Sequence, residues 1–324
     1  MHPFGLTAVV PCYDEADSVA QTHAEIVAAL GAYDLEILFV DDGSADGTLA
    51  EIQRLAATDP RVQYLSFSRN FGFEAAFSAG YKYARKPWLV HLDADLQFPP
   101  AEVHHLIERA LEGYDAVFGV RRTRHDPWHR RWGAAGYHWL GRRLRIRIPP
   151  GATTFRVLRT ELARRVVELR LGTPYFLATV PLLTSRIATV PVEHRPRTRG
   201  TSKFRLGRLI GHALELYVAF SRRAVHAVAF VLLLAAPVTA GLAVAAFAGW
   251  LAVPAAIGGG LLAQCVALAG AAVMLRYTVL IADAQPRPAM FYIREASIPV
   301  DPADELFPGA RPAPFIPAQR EDAA

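Results

Sequence analysis

Cysteine is almost missing from this chain. There are two in 324 residues. Cys12 follows a short apolar run and Cys265 lies inside a long one, a placement that excludes a sensible disulfide and implies no oxidising compartment. Lysine is nearly as rare, at three of 35 basic residues. Arginine therefore carries the positive charge of the whole chain, and the high pI reflects composition rather than a nucleic-acid-binding face. The first residues have neither a basic n-region nor a long apolar h-region, so no cleaved signal is expected. Acids are scarce in the second half. Between Pro127 and Pro299 they are Glu161, Glu168, Glu193, Glu215, Asp283 and Glu295. Charge of either sign is missing from Ala224 to Leu275, a run of 52 residues without Asp, Glu, Lys or Arg.

That run is more than twice the roughly 20 residues that cross a bilayer. Its one strong break is Gly249–Pro254, with Trp250 placed as an interfacial aromatic would be. The pattern predicts two membrane helices, about 225–249 and 253–275; a buried helical hairpin is the competing reading. Lys203, Arg205, Arg208, Arg222 and Arg223 precede the pair, and Arg276, Arg287 and Arg294 follow it. An even number of spans puts both flanks on one side, and the positive-inside rule makes that side cytoplasmic, with both termini. Residues 204–223 repeat Leu206, Leu209, Ile210, Ala213, Leu214, Tyr217 and Phe220 at helical spacing, which predicts an amphipathic helix at the interface, or else one facing the core. An arginine block runs from Arg121 to Arg147, opposed by Asp126 alone. Beside a membrane anchor it suits lipid head groups and an anionic acceptor better than nucleic acid. The Pro-rich, polar end from Asp301 reads as disordered.

The first hundred residues hold the chemistry. Three apolar runs, Leu6–Val10, Leu35–Val40 and Trp88–Leu92, each read as a buried strand with an acidic end. The ends are Pro11-Cys12-Tyr13-Asp14-Glu15, Asp41-Asp42-Gly43-Ser44 and Asp93-Ala94-Asp95-Leu96-Gln97. In an open parallel sheet, ligands bind outside the carboxyl ends of the strands, so three such ends can share one crevice. Carboxylates at i and i+2 of an extended segment point the same way, so Asp93 and Asp95 can share one task. Hard oxygen ligands of this kind suit Mg²⁺ or Mn²⁺ held between protein and a diphosphate. Taken singly, each end could be a solvated loop.

In order and spacing, VVPCYDE, DDGSADGT, SRNFGFEAAFSAG and LDADLQFPP resemble glycosyltransferase family 2, in its dolichol-phosphate-mannose-synthase-like branch. Arg197-Thr198-Arg199-Gly200-Thr201-Ser202-Lys203 resembles the branch's R-x-x-G-x-S-K segment, and Arg287–Ile293 loosely resembles its RPxYIV tail. The resemblance implies an α/β GT-A (Rossmann-like) catalytic domain over 1–203. The juxtamembrane helix over 204–223, the two spans within 224–276 and a cytoplasmic tail over 277–324 follow. It implies that Pro11, Tyr13, Glu15, Asp42 and Asp93 hold the nucleotide, and that Asp95 and Gln97 hold the metal, with Asp93 close enough to share it. Three positions depart from the pattern: Ala134 stands for a Ser, Thr154 for the Asp of a D-F-R element, and Asp14 for the commoner Asn.

A hydroxyl acceptor needs a general base, normally an acid well after the DxD triplet. No acid of the second half sits in the ED-type motif of hydroxyl-directed relatives. A polyprenyl phosphate needs no base, because its second pKa is about 6 and it arrives as an anion. The enzyme must instead offset repulsion between two phosphate groups, which is work for a metal and for Arg131, Arg156, Arg199 and Lys203. The expected reaction is an inverting transfer from a UDP- or GDP-sugar to a polyprenyl phosphate, with Asp95, Arg131 and Lys203 central to catalysis. The expected partners are that donor, the lipid acceptor and the membrane, without nucleic acid, and a homo-oligomer is compatible. Two rivals are a hydroxyl-directed enzyme such as a processive polysaccharide synthase, and a non-catalytic membrane scaffold. Trp128-His129-Arg130-Arg131-Trp132 lacks the Gln of the synthase Q-x-x-R-W motif, and intact Asp93, Asp95 and Gln97 argue against the scaffold.

Overall fold

The computed structural model describes residues 2–122, 149–169, 176–195 and 290–308, with scattered positions between 230 and 281. Four parallel strands form its centre: β1 (His2–Cys12), β2 (Tyr33–Asp41), β3 (Val62–Phe67) and β4 (Trp88–His91). Strands β1, β2 and β4 read as largely apolar runs because helices cover both faces. One face packs against α1 (Ala16–Leu30), α2 (Thr48–Thr58) and α4 (Val103–Leu111), through Val19, Ile26, Ile52, Leu106 and Ile107. The other packs against α3 (Phe73–Tyr83), α5 (Thr160–Glu168) and α6 (Phe176–Leu183), through Phe77, Tyr81, Val166 and Phe176. Helix α3 lies so close to β1 that a Cβ on Gly80 would overlap Val9 Cγ1.

Four more strands, β5 (Ala116–Arg121), β6 (Ala152–Arg159), β7 (Ile187–Val192) and β8 (Ile293–Ala296), complete an eight-stranded sheet in the order β7-β5-β6-β4-β1-β2-β3-β8. Strand β6 is antiparallel to both β4 and β5, and β7 is parallel to β5. Strand β8 is antiparallel to β3, with Ser66 opposite Glu295. The catalytic domain is thus discontinuous: its last strand comes from beyond the uncharged run, which the expected 1–203 boundary did not include.

These directions fix one edge of the sheet. Strands β1, β2, β4, β5 and β7 all end there, and β6 and β8 begin there. Arg195 and Met290, which flank the segment holding the uncharged run, both adjoin that edge.

No helix among the described residues is long and apolar enough to cross a membrane. Most positions of the expected spans lie outside the described residues, and the 204–223 helix, Arg131, Ala134, Arg199, Lys203 and Arg287 lie outside them entirely. Within that stretch Phe230, Val231, Leu268 and Ile281 are helical and expose large apolar side chains. Of the tail expected to be disordered from Asp301, residues 309–324 lie outside the described residues, while 301–308 is placed and includes a 3-10 turn at Pro302–Asp304. Asp304 accepts bonds from Lys82 Nζ (2.7 Å) and Tyr83 Oη (2.6 Å), partners far away in sequence that composition could not reveal.

Candidate active site

The three acidic strand ends lie along one edge of the sheet. Pro11 is still in the ladder, opposite Val40, and Tyr13 just beyond it is 48% exposed. Asp14 takes a left-handed φ of 54° and ties the first two ends together: its N–H donates to Ser44 Oγ (3.0 Å) and its carboxylate accepts from Ala45 N–H (2.9 Å). Asp and Asn tolerate that φ better than bulkier residues, so Asp14 can stand where Asn is commoner. Glu15 caps α1 and accepts from Ser18 Oγ at 2.5 Å.

Asp42 is buried, and its two oxygens accept the N–H groups of Phe71 (2.7 Å) and Gly72 (2.9 Å). Burial raises its pKa, opposed by those two bonds. Asp42 therefore anchors the Ser68–Gly72 turn that leads into α3. Gly43 beside it must be glycine: φ is 68°, and a Cβ would overlap the Arg69 backbone.

The DxD triplet is not extended. Strand β4 stops at His91, and Leu96 N–H donates back to the Asp93 carbonyl at 3.2 Å, with Leu96 at φ 52°. This turn corrects the expectation that i and i+2 spacing alone would align Asp93 and Asp95. Asp93 lies between His91 Nε2 (3.3 Å) and the Thr154 hydroxyl, which donates to Oδ2 at 3.4 Å. Asp95 instead accepts from Gln97, through its N–H (3.2 Å) and its side-chain amide (2.8 Å). Gln97 Oε1 meets His194 Nε2 at 3.1 Å, and its carbonyl accepts from Arg195 N–H. Exchanging the two ends of the Gln97 amide would turn its oxygen toward Asp95.

Behind Asp93 lies a buried polar column. His91 is fully buried, stacks on Phe77 with ring centroids 3.2 Å apart, and is held neutral by burial and by Arg156. Arg156 Nε donates to Tyr81 Oη at 2.6 Å, and its guanidinium lies near the rings of Phe77, Tyr81 and Phe176. At 2% exposure it sits in the core two residues below Thr154, not in the phosphate-facing set expected of it. Side chains alternate along β6, so Arg156 follows Thr154 on the α3 face while Phe155 packs opposite. Glu74, in the first turn of α3, has its pKa raised by burial to about 7, with Arg156 pulling the other way.

The sequence profile described as "Glycosyl transferase family 2" matches residues 7–170, from β1 through α5. The chain belongs to glycosyl transferase family 2. An uncharacterized glycosyltransferase of Synechocystis sp. is 32% identical over 220 residues, covering 67% of this chain and 69% of that one. The undecaprenyl-phosphate 4-deoxy-4-formamido-L-arabinose transferase of Pseudomonas fluorescens is also 32% identical over 220 residues, covering 65% and 63%. The chain therefore spans about two thirds of the length of these relatives. Among solved structures, mannosyl-3-phosphoglycerate synthase from Rubrobacter xylanophilus superposes with a TM-score of 0.48 at 21% identity, covering 68% of this chain and 74% of that one.

As a family 2 glycosyltransferase, the protein carries the mixed α/β sheet that its motifs imply, with those motifs at strand ends. Among the described residues, no three His, Cys, Asp or Glu side chains gather into a preformed metal cage. In donor chemistry, the two carboxylates and the Gln97 amide oxygen suit a cation such as Mg²⁺, which keeps waters and takes substrate phosphates as its remaining ligands. The sequence reading missed His194 and Glu74. His194 follows β7 directly, a strand-end position like that of the acids. Glu74 lies inside the quoted SRNFGFEAAFSAG motif, but nothing in a sequence separates a buried glutamate from an exposed one.

Proposed function

We propose that this glycosyltransferase moves a sugar from a nucleotide-sugar to a polyprenyl phosphate at the cytoplasmic face of a membrane, with inversion. One observation carries the reading. The chain leaves for its uncharged stretch, and returns from it, at the sheet edge that presents Asp93, Asp95 and Gln97. A hydrophobic stretch tethered at both ends to one folded domain crosses a bilayer an even number of times. Its root here also keeps the crevice next to the lipid. A lipid acceptor then reaches the donor without leaving the membrane surface, and the exposed apolar side chains at Phe230 and Leu268 suit that setting.

The acceptor class is supported by the names of relatives such as the undecaprenyl-phosphate transferase of Pseudomonas fluorescens. It is also supported by where the described acids lie. Glu161 and Glu168 are exposed on α5, and Glu295, on the outer strand β8, is engaged by Tyr64 (2.6 Å) and Gln53 (2.6 Å). Glu193 is exposed and lies 3.8 Å from Arg122. The free oxygen of Glu74 is buried. Glu161, Glu168 and Glu295 are thus engaged or exposed on other elements, and a phosphate nucleophile needs no carboxylate base.

In this mechanism Pro11, Tyr13, Glu15 and Asp42 orient the nucleotide. Asp93, Asp95 and Gln97 would hold Mg²⁺ or Mn²⁺, which when bound supplies positive charge to the departing diphosphate. Arg131, Arg199 and Lys203 neutralise the incoming phosphate so that its oxygen can attack the anomeric carbon from the opposite face. The test is a panel of labelled nucleotide-sugars incubated with membranes and either polyprenyl phosphate or polyprenol. Label should enter the organic phase only with the phosphate and be released by mild acid. Transfer to the free alcohol, with loss of activity in Glu161→Gln, would revive the hydroxyl-directed alternative.

A further inference from the structure

The tail motif around Tyr292 has no part in the reaction as described, yet it reaches the crevice edge. The turn Ser68–Gly72 is irregular and is held from two sides. Asp42 grips it from β2 through the N–H groups of Phe71 and Gly72. On the other side, Ser68 N–H donates to the Tyr292 carbonyl at 3.0 Å. Phe71 sits under the Arg69 guanidinium (4.0 Å to the ring centroid), edge-on to Phe67 (5.8 Å) and tilted against Tyr292 (6.2 Å). The preceding residue, Phe291, stacks on Phe67 with centroids 5.1 Å apart. A half-buried aromatic ring thus has one of its walls supplied by the chain after the uncharged run.

We propose that Tyr292 is a positioning residue for the donor site: by bracing Phe71 it fixes the turn whose amides set the Asp42 carboxylate. This rests on the reading above that Asp42 faces the donor nucleotide. Gly72, at φ 96° with no atom within 4 Å of a notional Cβ, gives the turn freedom to shift once its brace is lost. Donor affinity then depends on the docking of Phe291 and Tyr292 beside β3, although Tyr292 itself contributes no donor ligand.

The test uses the full chain in detergent, with UDP, GDP, ADP, CDP and dTDP as probes in the presence of Mn²⁺, read by titration calorimetry. Tyr292→Ala should weaken whichever nucleotide the wild type binds by about tenfold, the upper range for losing one aromatic contact. Donor KM should rise in step while kcat changes by less than about twofold. Tyr292→Phe should restore affinity, because the ring is what braces Phe71. Tyr292→Leu, which keeps apolar bulk beside β3, should weaken binding even if the Ala variant fails to fold. Asp42→Asn separates the two layers of the argument. If it binds nucleotide like wild type, or if wild type binds none of the five, the donor assignment beneath the proposal is wrong. If Asp42→Asn binds weakly but Tyr292→Ala and Tyr292→Leu bind like wild type, the bracing role is overturned. A fall in melting temperature with unchanged KM would likewise reduce Tyr292 to a packing residue.

Discussion

Replacing Glu74 by Gln should make the protein more stable above neutral pH. Glu74 Oε2 is a buried side-chain atom with no hydrogen-bond partner, the single such case among the described residues. Burial raises the carboxyl from 4.5 to about 7, even against the nearby Arg156 charge. The folded state therefore holds a proton that the unfolded state has released between those two values. Stability falls as pH rises through that window: the favourable difference is complete below pH 4.5 and lost above pH 7. Each pKa unit is worth about 1.4 kcal/mol, so the ionised carboxylate costs on the order of 3 kcal/mol at pH 8. Gln keeps the shape and cannot ionise. Thermal unfolding of the detergent-solubilised chain at pH 5 and pH 8 tests this directly. The variant should lie within about 3 °C of wild type at pH 5 and melt roughly 6–12 °C higher at pH 8, given the shift of about 2–4 °C per kcal/mol for domains of this size. Parallel pH curves for the two proteins would refute the reasoning and mean that Glu74 gains a partner in solution.

Asp95→Asn should abolish transfer in the radiolabel assay, and a chelator should do the same until Mg²⁺ or Mn²⁺ is restored; full activity in either case would remove the metal assignment. Arg131→Ala and Lys203→Ala should each lower kcat/KM by more than roughly tenfold, because an unneutralised phosphate in a dry site costs over ~1.4 kcal/mol. Gly80→Ala should destabilise the fold by about 1–3 kcal/mol in thermal unfolding, since the new methyl overlaps Val9 and forces α3 off the sheet. Reporter tags at both termini should be cytoplasmic and a tag near Trp250–Pro254 should lie outside; termini on opposite faces would mean an odd number of spans.

Three of the four central strands, β1, β2 and β4, were legible because each is a mostly apolar run with an acidic turn after it, as a doubly covered parallel sheet favours, whereas β3, with Gln63 and Ser66 and no acidic end, was not. That the three acidic ends share one sheet edge followed from that topology alone. The conformation of the DxD triplet was not legible, since spacing gives direction only if the backbone is extended and here it turns at Leu96. Arg156 misled for a related reason. A guanidinium looks like a phosphate ligand in sequence, while its place two residues below Thr154 on β6 puts it among Phe77, Tyr81 and Phe176. Strand β8 was invisible because Ile-Arg-Glu-Ala has no strand pattern of its own. Its pairing depends on β3, and its docking depends on Glu295 meeting Tyr64 and Gln53.

The pairing of β3 with β8 has a consequence for biosynthesis. Leu65 and Ala296 are partners across 231 positions. At roughly 5–20 residues per second, the ribosome makes the second some ten to fifty seconds after the first. Throughout that interval β3 is an open edge, with unpaired N–H and C=O groups able to recruit any passing strand. The uncharged run is made within the same interval. The nascent enzyme thus exposes its most sociable edge until the ribosome has passed its most hydrophobic segment, and only then does the domain close.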